Sequence, residues 1–531
     1  MVPVLATEVN PSSEPHRRAR SRMAALLAEV DGLHGKVAEG GSAASVQRHR
    51  ERGKLPVRER LSLLADRHGF IMELSPLAGW GTTDPLGGGL VTAVTEIHGR
   101  AVMVIANDPT VRGGSLSPTS IARTLRAMDI AETNRLPVVT LVESGGADLE
   151  KQADIFVPGG EQFRRLTELS AAGIPTVSVV FGSSTAGGAY LPGMSDYTIF
   201  VKDRGYAFLG GPPLVKMAID EDVTEHELGG ADMHARVSGL ADYLAADEPD
   251  ALRQARSVIF RFGLADPVPG GPAPVHDPDE LLGIVPEDPK TPFDIREVIG
   301  RIVDGSQFDE FKPLYGPNLV TGWAELSGMP IGVLANNGIL FSPESQKGAQ
   351  FIELCNQIGT PILFIQNITG FMVGSAAEKG GIIKDGAKLI NAVSNSQVPH
   401  VTLMVGVSYG AGNYAMAGRA YRPRLVLTWP THRIAVMGGR QLAGVMSIVR
   451  KRSAQSRNIE FDHTADETQR AEDEARIEAE STALYATGRV WDDGIIDPRH
   501  SRAALTVAFG ISRDTPRPGS RQRAGFGIFR F

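Results

Sequence analysis

Residues 173–190, GIPTVSVVFGSSTAGGAY, and residues 397–414, QVPHVTLMVGVSYGAGNY, align without a gap and share six of eighteen positions. The shared residues are Pro175/Pro399, Val177/Val401, Gly182/Gly406, Ser184/Ser408, Gly188/Gly412 and Tyr190/Tyr414. Each copy is an apolar run that breaks at a glycine turn. The correspondence extends outward: Pro137 opens PVVTLV and Pro361 opens PILFIQ, and Ala106-Asn107-Asp108 is echoed by Ala335-Asn336-Asn337. Ser117-Pro118 recurs as Ser342-Pro343 and Gly210-Gly211 as Gly438-Gly439, with offsets drifting only from 224 to 229. A period this long is no solenoid repeat and predicts two copies of a whole domain.

Inside each copy, short β-rich runs alternate with helical patterns. AVMVIAN is followed by a Ser-Pro-opened helix carrying Ile121, Leu125 and Met128 on one face, then by PVVTLV. Continuous apolar strands between helices predict an α/β fold in each half, with mainly parallel sheets buried on both faces. Residues 266–294, DPVPGGPAPVHDPDELLGIVPEDPKTPFD, read as the linker between domains at 25–265 and 295–510. Residues 450–482 form a charged, helix-prone insertion in the second copy only, and the chain ends in a tail with little periodicity.

A length of 531 residues lets each half bury a full core. A net charge of −7 offers no footprint for nucleic acid. The single cysteine, Cys355, excludes an intramolecular disulfide and reads as a buried filler on a helix. With no apolar run of membrane length, the expectation is a soluble, cytoplasmic protein; Glu8 and Glu14 argue against a mitochondrial presequence. The stretch RHRERGKLPVRERLSLL reads first as a solvated helix face, or alternatively as a place where Arg50, Arg52, Lys54 or Arg58 meets ligand phosphates.

Each glycine turn, Ala186-Gly187-Gly188-Ala189 and Gly410-Ala411-Gly412-Asn413, ends a strand and opens a helix. Backbone N–H groups there stabilise an anion without a charged side chain. Two earlier loops, Ser144-Gly145-Gly146-Ala147 and Ile368-Thr369-Gly370-Phe371, follow neighbouring strands and are placed to supply a second donor to each hole. The plainer alternative is that the glycines only permit tight packing. Gly406-Val407-Ser408-Tyr409-Gly410 also matches the G-x-S-x-G nucleophile elbow, with His432, His463 and His500 downstream, but the first copy has GSSTA and lacks the second glycine. His234 and His400 read as structural. No phosphate loop, H-E-x-x-H or closely spaced metal cluster is present, so the chemistry points to backbone donors plus a cofactor with its own reactive group.

The segments GSSTAGGAYLPGMSD, FLGGPPLVKMA, FKPLYGPNLVTGWA, NITGFMVG, GGIIKDGAKLINAV, SYGAGNYAMAGRAY and DDGIIDP resemble the carboxyltransferase (β) subunit of biotin-dependent acyl-CoA carboxylases, over about residues 25–510. ITGFMVG, YGAGNY and GGPPLVK look closest to the methylcrotonoyl-CoA carboxylase branch. The resemblance implies a tandem crotonase-like (ClpP/crotonase) fold, assembled as a hexamer, with acyl-CoA held by the N-terminal half and biotin by the C-terminal half. It implies catalytic N–H groups at Gly187 and Gly188 for the thioester enolate and at Ala411 and Gly412 for the ureido oxygen of biotin, with Gly145, Gly146, Ala147, Thr369, Gly370 and Phe371 lining the substrates. The chain has no biotinyl-lysine context and no ATP loop, so biotin is expected on a partner α subunit carrying biotin carboxylase and biotin carrier; no metal is expected. Acetyl-CoA and propionyl-CoA stand as alternative substrates. A serine hydrolase using Ser408 and an inactive CoA-binding scaffold stand as alternatives of another class.

Overall fold

The structure, a computed structural model, describes residues 2–263, 267–289 and 291–513. Linker positions 266 and 290 and the tail beyond 513 lie outside the described residues. The chain forms two compact units. One comprises Asp31–Pro267 and Gly488–Val490, with residues 511–513; the other comprises the N-terminal residues to Val30, Val268–Thr487 and Trp491–Gly510.

The first unit is built on an eight-stranded sheet: β1 (Ile71–Glu73), β2 (Leu90–Ile97), β3 (Arg100–Asn107), β4 (Val138–Ser144), β5 (Thr176–Thr185), β6 (Tyr197–Val201), β7 (Tyr206–Phe208) and β8 (Tyr243–Ala245). Its order is β1-β2-β3-β4-β5-β6-β8, with β7 beside the end of β5. The second unit repeats the plan with β9 (Asp309–Glu310), β10 (Leu319–Leu326), β11 (Met329–Asn336), β12 (Ile362–Ile368), β13 (His400–Tyr409), β14 (Leu425–Thr428) and β15 (Arg433–Ala435), in the order β14-β13-β12-β11-β10-β9, with β15 beside the end of β13.

From β3 and β11 onward the ladders are parallel, as the continuous apolar runs predict; every residue of β4 is buried. The strands before them are antiparallel. The β2–β3 hairpin turns at His98-Gly99 and the β10–β11 hairpin at Ser327-Gly328, all four residues left-handed (φ 54°, 72°, 50° and 74°), as a two-residue primed turn requires.

Between β3 and β4 runs the helix Pro118–Asn134, opened by a Ser117/Ser120 capping box with Pro118 in its first turn; its Ile121 and Met128 are buried. The counterpart, Ser342–Ile358, buries Phe351, Ile352 and Cys355. Burial lifts the Cys355 thiol to about 12, so it is inert packing. The core of the first unit gathers Val104, Val139, Val179 and Ile199 beneath Leu61, Leu252 and Ile259 of two flanking helices; that of the second gathers Leu334, Phe364, Phe351 and Leu389. Each such fully buried side chain contributes about 1.5–3 kcal/mol. Within residues 267–289 a turn at Pro278–Gly283 buries Leu281 and Leu282.

Candidate functional site

The duplicated signature folds into the same local machine twice. β5 gains two residues over β4 between the paired positions Val142/Val180 and Ser144/Ser184, and β13 gains two over β12 between Gln366/Met404 and Ile368/Ser408. In both units a side chain from the neighbouring strand approaches the backbone within the bulge. A Cβ at Gly182 would lie 2.6 Å from Glu143 Oε1, and one at Gly406 would lie 2.3 Å from Asn367 Oδ1. These two shared glycines therefore clear a path for Glu143 and Asn367.

Beyond the bulge the chain reverses at one left-handed residue, Ala186 (φ 55°) in the first unit and Gly410 (φ 57°) in the second. In the first unit this residue begins the 3-10 turn Ala186–Ala189, and in the second it immediately precedes the one-turn α-helix Ala411–Ala415. Gly187 and Ala411 are exposed, while Gly188 and Gly412 are buried. As the first two residues of their α-helix, Ala411 and Gly412 have N–H groups with no partner inside it.

Each turn abuts the loop predicted to join it. A Cβ at Gly146 (φ 96°) would sit 3.5 Å from Thr185 O, and one at Gly412 would sit 3.2 Å from Gly370 Cα (φ 126°). The loops are pinned by matched bridges. Leu116 N–H donates to Gly146 O (2.8 Å) and Asp148 N–H to Leu116 O (2.9 Å); Leu340 N–H donates to Gly370 O (3.2 Å) and Met372 N–H to Leu340 O (2.8 Å). In such a bridge the middle residue, Ala147 or Phe371, turns its own N–H to the opposite side. Gly145 and Gly146 are already engaged, donating to Gly113 O (3.1 Å) and Ser144 Oγ (3.1 Å). Thr369 is exposed, and the Phe371 ring packs where Gly386 has no side chain.

The paired serines brace the turns from inside. Ser184 Oγ donates to Gly188 O (2.7 Å); Ser408 Oγ donates to Gln366 Oε1 (2.5 Å) and accepts from Asn413 Nδ2 (2.8 Å), and both are fully buried. Ser408 is thus a hydrogen-bond bridge between an amide pair, not an elbow nucleophile facing a base. His432 bonds Gly406 O (2.8 Å) and burial drops it to about 4; His463 and His500 are exposed. His234 holds Ser238 Oγ and Ala207 O, and burial takes His400 to about 3.

The basic stretch serves the scaffold. Lys54 and Arg60 both pair with Glu143, Arg60 also pairs with Glu248 (2.9 Å) and stacks 4.3 Å over the Phe181 ring. Arg58 pairs with Glu73 (2.8 Å) and Arg50 with Glu59, while Arg52 is exposed. Burial pushes the Glu143 carboxyl up, but Arg60 and Lys54 more than offset this and leave it below its ordinary value. Sequence reasoning missed Phe163, whose ring tip would be 3.2 Å from a Cβ on Gly187 and which packs edge-on against Tyr190. No local pattern marks it. Among the described residues no group of His, Cys, Asp and Glu is placed to hold a metal, and no helix is long and apolar enough to cross a membrane. What the two turns offer is directed backbone donors with no charged side chain in either turn, a device for holding a carbonyl oxygen as it gains negative charge.

Residues 48–524 match the family described as the carboxyl transferase domain. The chain is 52% identical over 532 residues to a probable biotin-dependent acyl-coenzyme A carboxylase beta2 subunit of Mycobacterium tuberculosis, covering 99% of this chain and 100% of the relative. It is 46% identical over 506 residues to the mitochondrial methylcrotonoyl-CoA carboxylase beta chain of Dictyostelium discoideum, covering 93% and 86%. The crystal structure of the beta subunit of P. aeruginosa geranyl-CoA carboxylase aligns over 100% of both chains with a TM-score of 0.93 and 42% identity.

Proposed function

The chain belongs to the carboxyl transferase family, and we propose that, as the carboxyltransferase (β) subunit of a biotin-dependent acyl-CoA carboxylase, it carboxylates 3-methylcrotonoyl-CoA. The observation that carries the reading is the matched pair of backbone-donor turns, with no acid or base side chain in either. A reaction that builds negative charge on a thioester oxygen in one place and handles a urea oxygen in another needs two neutral donor sites. Relatives named for methylcrotonoyl-CoA support the substrate. The likeness to a geranyl-CoA carboxylase supports a second substrate, geranyl-CoA, which has the same 3-methyl-2-enoyl head on a longer chain.

The domain at 25–265 is assigned to acyl-CoA. The N–H groups of Gly187 and Gly188 hold the enolate oxygen, each contributing about 3–4 kcal/mol to the transition state, with the Gly145-Gly146-Ala147 loop supplying Ala147 N–H. The domain at 295–510 is assigned to biotin, with Ala411 and Gly412 donating to the ureido oxygen beside Thr369, Gly370 and Phe371. The residues fit the group: a neutral urea needs unpaired donors and an apolar rim, and Met372, Val373 and Val436 are exposed there. Carboxybiotin, when bound, supplies CO2 and a basic ureido nitrogen. The chain's own part is to orient both partners and hold charge on the thioester oxygen. The biotin is carried by an α subunit, without which the overall carboxylation fails, and the β subunits assemble as a hexamer.

The test is the isolated half-reaction: protein, a biotinylated carrier and a panel of carboxylated thioesters, following the decarboxylated product. Preference for 3-methylglutaconyl-CoA supports the assignment, and preference for the geranyl analogue selects the longer chain. Preference for malonyl-CoA or methylmalonyl-CoA rejects both substrates. No biotin-dependent turnover rejects the donor-turn mechanism.

A further inference from the structure

The duplication places one buried cation at the same point of each unit, and the two differ in the number of partners they find: both terminal nitrogens of Arg123 are engaged, though its Nε is not, while Lys347 has a single partner among the described residues. Arg123, on the helix Pro118–Asn134, and Lys347, on the helix Ser342–Ile358, are each no more than 1% exposed. Each reaches the carbonyl of a left-handed glycine that precedes the first long strand of its sheet: Gly87 (φ 75°) for Arg123 at 2.6 Å, Gly316 (φ 59°) for Lys347 at 3.4 Å. Arg123 also donates to Leu90 O, to Leu74 O (2.6 Å) and to Thr92 Oγ1 (3.1 Å). Among the described residues Lys347 has one hydrogen-bond partner, at a distance longer than an ordinary N–H···O bond.

The nearest carboxylates do not complete the set. Glu310 is held in a fork by Arg296 (2.9 and 2.6 Å), and Glu344 accepts from the N–H groups of Asn318 (3.3 Å) and Phe341 (3.1 Å). Lys347 instead lines a cavity of about 570 Å³ together with Lys312, Tyr315, Gln346 and Gln350, and no carboxylate is among the lining residues. Lys312 donates to Gln350 Oε1 (2.5 Å) and Tyr315 to Gln346 Oε1 (3.0 Å), so the polar wall is already organised. A buried ammonium whose neighbouring carboxylates are hydrogen-bonded elsewhere is costly; Glu310 and Glu344 favour its charge only through space. Consistent with that, burial holds Lys347 down to about 8.

We propose that this cavity binds a small oxyanion of the phosphate or carboxylate class, which completes around Lys347, with Lys312, the shell of partners that Arg123 finds within the protein. The site is separate from the glycine turns, and its test does not depend on turnover.

Inorganic phosphate is titrated into the full-length protein at constant ionic strength, reading the thermal midpoint and 31P line width, with acetate run in parallel to separate the phosphate from the carboxylate class. The midpoint is expected to rise with one of the two anions, since a ligand that binds the folded state stabilises it. Lys347→Met, which keeps volume and removes charge, is expected to weaken binding by about tenfold or more, the worth of a charge-assisted hydrogen bond. Without anion, the same variant should melt at or above the wild-type midpoint. Lys312→Ala, at an exposed position, should weaken binding less, and it decides the matter with the 31P width if Lys347→Met does not fold. No response of the wild type to either anion, or equal responses in wild type and Lys347→Met, overturns the site.

Discussion

Gly188 and Gly412 occupy matched positions yet are glycine for different reasons. A Cβ at Gly188 would have 3.6 Å to its nearest neighbour, Ser184 Oγ; one at Gly412 would lie 2.6 Å from Ile368 Cγ1. Gly188→Val should therefore fold with a near-native midpoint and lose on the order of 100-fold in exchange turnover, because its branches enter the space a thioester needs. Wild-type kinetics in that variant would remove the first turn from the mechanism. Gly412→Ala should cost about 1–3 kcal/mol by overpacking, seen as a lower denaturant midpoint. Ser408→Ala leaves Gln366 and Asn413 without their buried bridge and should cost about 1–3 kcal/mol. Neither it nor the wild type should be labelled by a fluorophosphonate; labelling of the wild type alone would restore the hydrolase reading. The sequence shows that Ser408 has a twin in Ser184, but not what either touches. A G-x-S-x-G spacing is satisfied here by Gly406, kept small by Asn367, and by Gly410, kept small by its left-handed turn and by Val436 O at 3.0 Å from its Cβ site.

At the scale of elements, legibility followed locality. The parallel strands, the Ser-Pro-opened helix and the charged insertion at 450–482, which takes in the end of the helix Gly439–Ser456 and the helix His463–Glu480, are readable because their signals lie within a few residues. The antiparallel hairpins turn at His98-Gly99 and Ser327-Gly328, which carry only a weak local signal because neither is the Asn-Gly that marks such a turn most strongly. The basic stretch was illegible because its partners are distant: Lys54 meets Glu143 and Arg60 meets Glu248 only after the sheet has formed. This network ties the N-terminal helices to the end of β4, just before the Gly145–Ala147 loop. Because the folded Glu143 carboxyl sits below its unfolded value, its stabilisation is fully present above the unfolded carboxylate pKa and is lost as pH falls through the folded one. Glu143→Gln should thus flatten the acid limb of the stability profile. At neutral pH it should cost about 3–5 kcal/mol, as two buried cations lose their shared partner. An unchanged acid limb in urea melts across that range would show that Glu143 is not the group whose protonation matters.

At the scale of the whole molecule, each unit leaves apolar side chains in solvent around its glycine turn, and they occur at matched positions: Leu149 and Val373, Tyr190 and Tyr414, Leu209 and Val436. Leu149 is 81% and Val373 77% exposed, an exposure that an isolated surface has no reason to repeat twice. The duplication suggests what covers them. If the face of the first unit in one copy meets the face of the second unit in another, a two-fold dimer contains two equivalent contacts, each built from one of each kind. Leu149→Asp and Val373→Asp should then each yield a smaller species in sedimentation and lose biotin-dependent exchange, because every contact in either homodimer carries one buried carboxylate. Mixing the two variants is the sharper test. A mixed dimer has one contact with both substitutions and one with neither, since the first face of the Val373→Asp chain and the second face of the Leu149→Asp chain are both intact. Because neither homodimer holds together, the dimers that form are mixed and half their contacts are sound, so exchange should recover to between about a quarter, the value for random pairing, and about half of the wild-type rate. Two apolar patches serving unrelated contacts would give two inactive proteins whose mixture stays inactive, and that result would separate the matched turns into two independent sites.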